Sequence, residues 1–120
     1  MSNVELESKT QKAAMNLLRH NKAYVYKNAQ GLYTERGRPD LVACVPIKIS
    51  QLKQLYQDDD TVGLFMGIEM KRPGEINNTS IAQEIVGRQI QNCGGIWFPL
   101  DNIDNLKHIL QKLLGDDYAV

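Results

Sequence analysis

Apolar and polar positions along this chain follow two periods, and they change over at turn-forming residues. From Ser2 to about His20 apolar residues recur at helical spacing with no Pro or Gly between them, and Ser2 followed by Glu5 has the spacing of a capping box. Tyr24-Val25-Tyr26-Lys27 then alternates as a strand, and Asn28-Ala29-Gln30-Gly31 reads as the turn into Leu32-Tyr33-Thr34, which predicts a hairpin. A strand is expected over residues 41–45, stopped by Pro46, and a short helix over 50–56. The apolar run of residues 62–68 lies between an Asp-rich turn and Arg72-Pro73-Gly74 and predicts a buried strand. Ser80 caps a helix running to about Cys93, with a stripe of Ala82, Ile85, Val86, Ile90 and Cys93 ended by Gly94-Gly95. Residues 96–100 form a further strand. Asp101 or Asn102 caps a last helix with the stripe Ile103, Leu106, Ile109, Leu110, Leu113, and a mobile tail is expected after Gly115.

This order predicts one α/β domain spanning residues 1–120, with a central mixed β-sheet flanked by helices on both faces. With 42% hydrophobic residues the chain can bury a core. No stretch has the apolar length of a membrane span and the first residues lack a signal-peptide layout, so a cytoplasmic protein without a membrane partner is expected. Cys44 and Cys93 have neither metal-ligand spacing nor secreted context and read as reduced thiols. His20 and His108 likewise lack a companion at ligand spacing.

Net charge is zero, but its distribution is uneven: up to Arg38 there are seven Lys and Arg against three Glu. A basic N-terminal third suits a phosphate backbone, and equally suits a solvated helix face.

The densest chemistry lies in Arg36-Gly37-Arg38-Pro39-Asp40 and Glu69-Met70-Lys71. On a strand Glu69 and Lys71 share one face while Met70 points to the other. A carboxylate and an ammonium emerging together from a dry strand are costly unless paired or metal-bound. Asp40 supplies a second carboxylate if the two strands are neighbours. Asp58, Asp59 and Asp60 are nearer to Glu69 in sequence, but they sit in a polar turn where Asp is common for turn chemistry alone. Glu7-Ser8-Lys9 repeats the Glu-x-Lys pattern within a helix and is set aside by that context. Glu7 itself falls on the core side of the first helix with Thr10, Gln11, Ala14, Leu17 and Leu18, whereas Glu5 lies on the wet side as capping partner.

Pro39-Asp40 and Glu69-Met70-Lys71 together resemble the PD-(D/E)xK nuclease superfamily. Within it the chain is similar to the VRR-NUC family of small structure-selective nucleases through Arg36-Gly37-Arg38-Pro39-Asp40-Leu41, Ile68-Glu69-Met70-Lys71-Arg72-Pro73, and Ser80-Ile81-Ala82-Gln83 followed by Gly94-Gly95 and a strand. The likeness runs from about Glu7 to Leu100. It implies a restriction-endonuclease-like core and Mg²⁺ or Mn²⁺ held by Glu7, Asp40, Glu69 and the Met70 backbone carbonyl, with Lys71 serving the attacking water and Gln83 a site residue. Hard oxygen donors agree with that choice of ion. Gln83 also has a complete structural reading as the fourth member of a Ser-x-x-Gln capping box. Lys9, Arg36, Arg38 and Arg72 are candidate phosphate contacts.

The resemblance further implies a homodimer acting on DNA, branched DNA such as four-way junctions above all, with no organic cofactor. Two alternatives remain open: a noncatalytic nucleic-acid-binding module on the same fold, and a restriction-type enzyme acting on linear duplex.

Overall fold

The computed structural model describes residues 2–29 and 37–119. Its elements follow the order α1 (Asn3–His20), β1 (Tyr24–Lys27), β2 (Leu41–Cys44), α2 (Ile49–Leu55), β3 (Met66–Met70), α3 (Ile81–Asn92), β4 (Ile96–Leu100) and α4 (Ile103–Leu114), with a 3-10 turn at Gly115–Asp117. The architecture is mixed α/β. The expected second hairpin strand at residues 32–34, and Arg36, lie outside the described residues.

Three helix starts are fixed by side chains visible in the sequence. Ser2 and Glu5 form the reciprocal capping box of α1, Ser80 and Gln83 that of α3, and Asn102 caps α4 by accepting from the Asn105 N–H at 3.1 Å. Asn102 rather than Asp101 is therefore the cap. Asp101 instead accepts from the Gly74 N–H at 3.2 Å and ties down the loop after β3.

The strands depart from the expected single central sheet. The described residues hold two separate pairs: β1 antiparallel to β2, with Tyr24 opposite Cys44 and Lys27 opposite Leu41, and β3 parallel to β4, with Met66 opposite Ile96 and Met70 opposite Leu100. After Cys44 the chain leaves its ladder at Val45-Pro46, where proline has no N–H to give. Beyond that point residues 43–45 and 62–65 face each other across a cavity of about 550 Å³. The expected strand at residues 62–68 accordingly begins only at Met66, where β4 first offers a partner. Val62 and Leu64 stay half-exposed.

Nor is β3 buried as expected. Ile68 is 40% and Met70 69% exposed, whereas Gly67, Glu69 and Lys71 on the opposite face are half-buried. This side lies under α3. A Cβ on Gly67 would stand 2.8 Å from the Ile90 side chain and 3.1 Å from that of Trp97, and one on Gly87 would stand 2.5 Å from the Trp97 ring. The missing side chain at Gly87 lets α3 lie almost in contact with β4. That approach selects the inward face of the helix, which runs through Gln83, Gly87 and Ile90 at i, i+4 and i+7. The expected stripe is thus rotated: Ile90 and Cys93 are buried, but Ala82, Ile85 and Val86 are exposed. In α1 the covered stripe is Gln11, Ala14, Met15 and Leu18, with Leu17 left 64% exposed.

The core among the described residues comprises Ala23, Val25 and Cys44 from one part and Ile90, Cys93 and Leu100 from the other. The two parts meet through the cysteines: the Cys44 thiol donates to the Cys93 carbonyl at 3.6 Å, and the Cys93 thiol donates to the Lys22 carbonyl at 3.1 Å. Both thiols are free, as expected. Burial, then the neighbouring Cys93, pushes the Cys44 thiol pKa up. The tail also differs from expectation, since the Tyr118 N–H donates to the Gly115 carbonyl and its side chain is half-buried.

Candidate active site

The second motif is assembled by β3 and α3 together. Strand alternation brings Glu69 and Lys71 to the face under α3, and the inward turn of that helix brings Gln83 between them. The Gln83 carboxamide donates from Nε2 to Glu69 Oε1 at 2.6 Å and accepts at Oε1 from Lys71 Nζ at 2.9 Å. The same Oε1 accepts from the Ser80 N–H at 3.1 Å. Gln83 caps α3 and bonds Glu69 and Lys71 at the same time, because a carboxamide has one donating and one accepting end. Lys71 is held further by the Asn78 carbonyl, to which its ammonium also donates. Its backbone N–H extends the ladder to the Leu100 carbonyl at 2.8 Å. Glu69 Oε2 has no hydrogen-bond partner among the described residues and is available to a ligand.

The first motif sits beside β1. Asn28, just past the strand, donates from its backbone N–H to the Asp40 carbonyl at 3.0 Å and from Nδ2 to the Pro39 carbonyl at 2.7 Å. Those two bonds and the fixed φ of Pro39 hold the backbone of Asp40. Glu7 and Asp40 line one groove of about 480 Å³ together with Thr10, Gln11, Ala14 and Leu41. Glu7, expected on the core side of α1, is instead exposed, as is Thr10, because the covered stripe begins only at Gln11; it shares this surface with Asp40.

Glu69, Lys71 and Gln83 therefore form one group, and Glu7 with Asp40 another. Among the described residues no set of three or more His, Cys, Asp or Glu side chains is gathered closely enough to hold a metal ion. Glu7 and Asp40 line one groove and Glu69 belongs to the other group; carboxylate oxygens are the donor type that a hard divalent cation takes. Lys9, Arg38 and Arg72 are all exposed. The Met70 side chain points to the uncovered face.

Sequence reasoning missed Asn28, Asn78 and Asp101. An Asn one residue beyond a strand that pairs just before Asp40 is a legible signal in hindsight. Asn78 acts through its main chain and leaves no signal in residue type. No helix is long and apolar enough to cross a membrane among the described residues. The chain matches no family model, no curated protein and no solved structure, so the functional reading stands on its residues and their geometry.

Proposed function

We propose that this chain is a divalent-metal-dependent, structure-selective DNA endonuclease hydrolysing phosphodiester bonds in branched DNA, four-way junctions included. The carrying observation is the Glu69–Gln83–Lys71 hydrogen-bond relay, in which an acid and an amine from one face of the β3 segment are joined by an amide from α3. Glu7, Asp40 and Glu69 would hold Mg²⁺ or Mn²⁺, with the Met70 carbonyl as a further oxygen donor. Bound there, such an ion supplies a polarised phosphate and a more acidic water. Lys71 positions the attacking water, and Gln83 keeps the amine and the Glu69 carboxylate at a fixed spacing. Arg38, Arg72 and Lys9 contact the backbone phosphates, with Arg36 beside them in sequence. A homodimer would give two such sites for two strands of one junction.

The test is cleavage of labelled linear, flapped and four-way DNA by purified protein with Mg²⁺, Mn²⁺ or chelator. Cutting of branched over linear DNA is expected, lost at least about 100-fold in Asp40→Ala, Glu69→Ala and Lys71→Ala proteins that still melt cooperatively. Normal turnover by Glu69→Ala would end the proposal.

One observation favours a second reading, a noncatalytic nucleic-acid-binding module: the Lys71 ammonium is already engaged by the Asn78 carbonyl and Gln83. On that reading the relay only braces α3 against β3, and the protein binds DNA without cutting it under any metal.

A further inference from the structure

Where α1 gives way to β1, the backbone does something its residue type disfavours. Lys22 has φ 67°, a left-handed conformation that costs an L-residue with a side chain and that glycine adopts freely. The chain uses glycine at the other such helix ends, Gly94 after α3 (φ 87°) and Gly115 after α4 (φ 55°). Hydrogen bonds lock the lysine in place: its N–H donates to the Arg19 carbonyl at 3.0 Å, and its carbonyl accepts from the Cys93 thiol at 3.1 Å. A costly side chain has been kept where a cheaper residue would serve the turn.

Lys22 is among the residues that line a cavity of about 560 Å³ between α1, β1 and the end of α3. Arg19, Lys22, Tyr24, Gln89 and Asn92 are its polar lining residues, and no Asp or Glu lines it among the described residues. The Tyr24 phenol is protonated at neutral pH, and burial, then the neighbouring Tyr26, only raises its pKa further. Two cations, two carboxamides and a phenol form a set of donors suited to an anion. Arg19 in the last turn of α1 has a sufficient structural role opposite the helix dipole. Lys22 lies beyond that turn and gains less from it.

We propose that this cavity is a phosphate-binding contact for a nucleic-acid backbone, with Lys22 as its principal cation. The inference rests on a nucleic-acid substrate, as proposed above, and extends the binding surface away from the acids. Asn92 stands nine positions beyond Gln83 on α3, a rise of about 13 Å and half a turn round the helix, so this contact would lie apart from the face that carries Glu69 and Lys71.

The test measures binding of a fluorescent four-way DNA junction to the full chain in chelator, across a salt series, for the unchanged protein, Lys22→Gly and Lys22→Arg, with thermal melting alongside. Lys22→Gly is expected to melt about 3 °C higher, to bind about tenfold more weakly at low salt, and to lower the slope of log affinity against log salt by about 0.9. Lys22→Arg should keep both affinity and slope. Unchanged affinity and slope in Lys22→Gly would overturn the inference, leaving the lysine as a helix-end residue. A lower melting temperature in Lys22→Gly would overturn the argument from backbone cost. Because chelator removes any need for catalysis, binding here without cutting in Mn²⁺ would sink the nuclease reading alone, whereas no binding by the unchanged protein would sink both.

Discussion

Replacing Gln83 separates the three bonds that its carboxamide makes. In Gln83→Ala the Ser80 N–H loses a partly exposed cap acceptor, worth about 0.5 kcal/mol. Lys71 and Glu69 each lose a charge-assisted bond in a half-buried setting, about 1 kcal/mol apiece after solvent screening. The expected cost is about 2–3 kcal/mol, a large share of the usual total of about 5–15 kcal/mol for a domain. Gln83→Glu discriminates further. Its carboxylate still accepts from Ser80 and Lys71 but cannot donate to Glu69, and it sets two negative charges side by side. At pH 7 it should cost about 1–2 kcal/mol. Urea unfolding at pH 7, with m-values compared, measures both variants. If Gln83→Ala falls within about 0.5 kcal/mol of the unchanged protein, or Gln83→Glu shows no loss at pH 7, the relay is not an energetic unit and the reasoning fails.

Other perturbations test the framework around the relay. Ser80→Ala removes the hydroxyl that accepts from the Gln83 N–H at 3.2 Å and should lower unfolding free energy by about 1 kcal/mol in the same titration. Gly87→Ala would drive a methyl into the Trp97 ring. Overpacking of about 1–3 kcal/mol outweighs the gain of about 1 kcal/mol in helix propensity, so thermal melting should show a lower midpoint, with Trp97 fluorescence altered. The folded protein holds the Cys44 and Tyr24 protons more tightly than the unfolded chain does. Their contribution is therefore complete below about pH 8.5 and is lost as pH climbs through the alkaline range. Urea midpoints should fall between about pH 8.5 and 10.5, and Cys44→Ala should flatten the lower part of that fall.

Helix starts were legible because capping is local: Ser2 and Ser80 each reach a backbone group three residues on, so spacing reveals them, whereas the last cap stayed open between Asp101 and Asn102 until the structure showed Asn102. Strand partners are not local. Residues 62–64 have the composition of the strand that follows, yet the ladder starts only where Ile96 bonds the Phe65 carbonyl, a fact held by the chain near Ile96. The covered side of α3 was misread for a related reason. Counting apolar residues favours Ile85 and Val86, whereas the helix turns the side with the least bulk, Gly87, toward Trp97. Of the candidate site, Glu-x-Lys alternation and the Ser-x-x-Gln spacing predicted that Glu69 and Lys71 share a face and that Gln83 caps α3; the structure joins all three. Helix periodicity placed Glu7 on the core side of α1, whereas the structure leaves it exposed on a groove that Asp40 also lines. Three acids gathered around one point did not emerge, since that arrangement depends on how the two strand pairs stand to each other, and no residue pattern encodes it.

Among the described residues no strand pairing joins β2 to β3. The two strand pairs meet instead through thiol–carbonyl bonds and the edge-on contact of the Tyr24 ring with that of Phe65, so a substitution at Cys44, Phe65 or Cys93 would perturb how the Asp40 and Glu69 segments stand to each other without touching an acid.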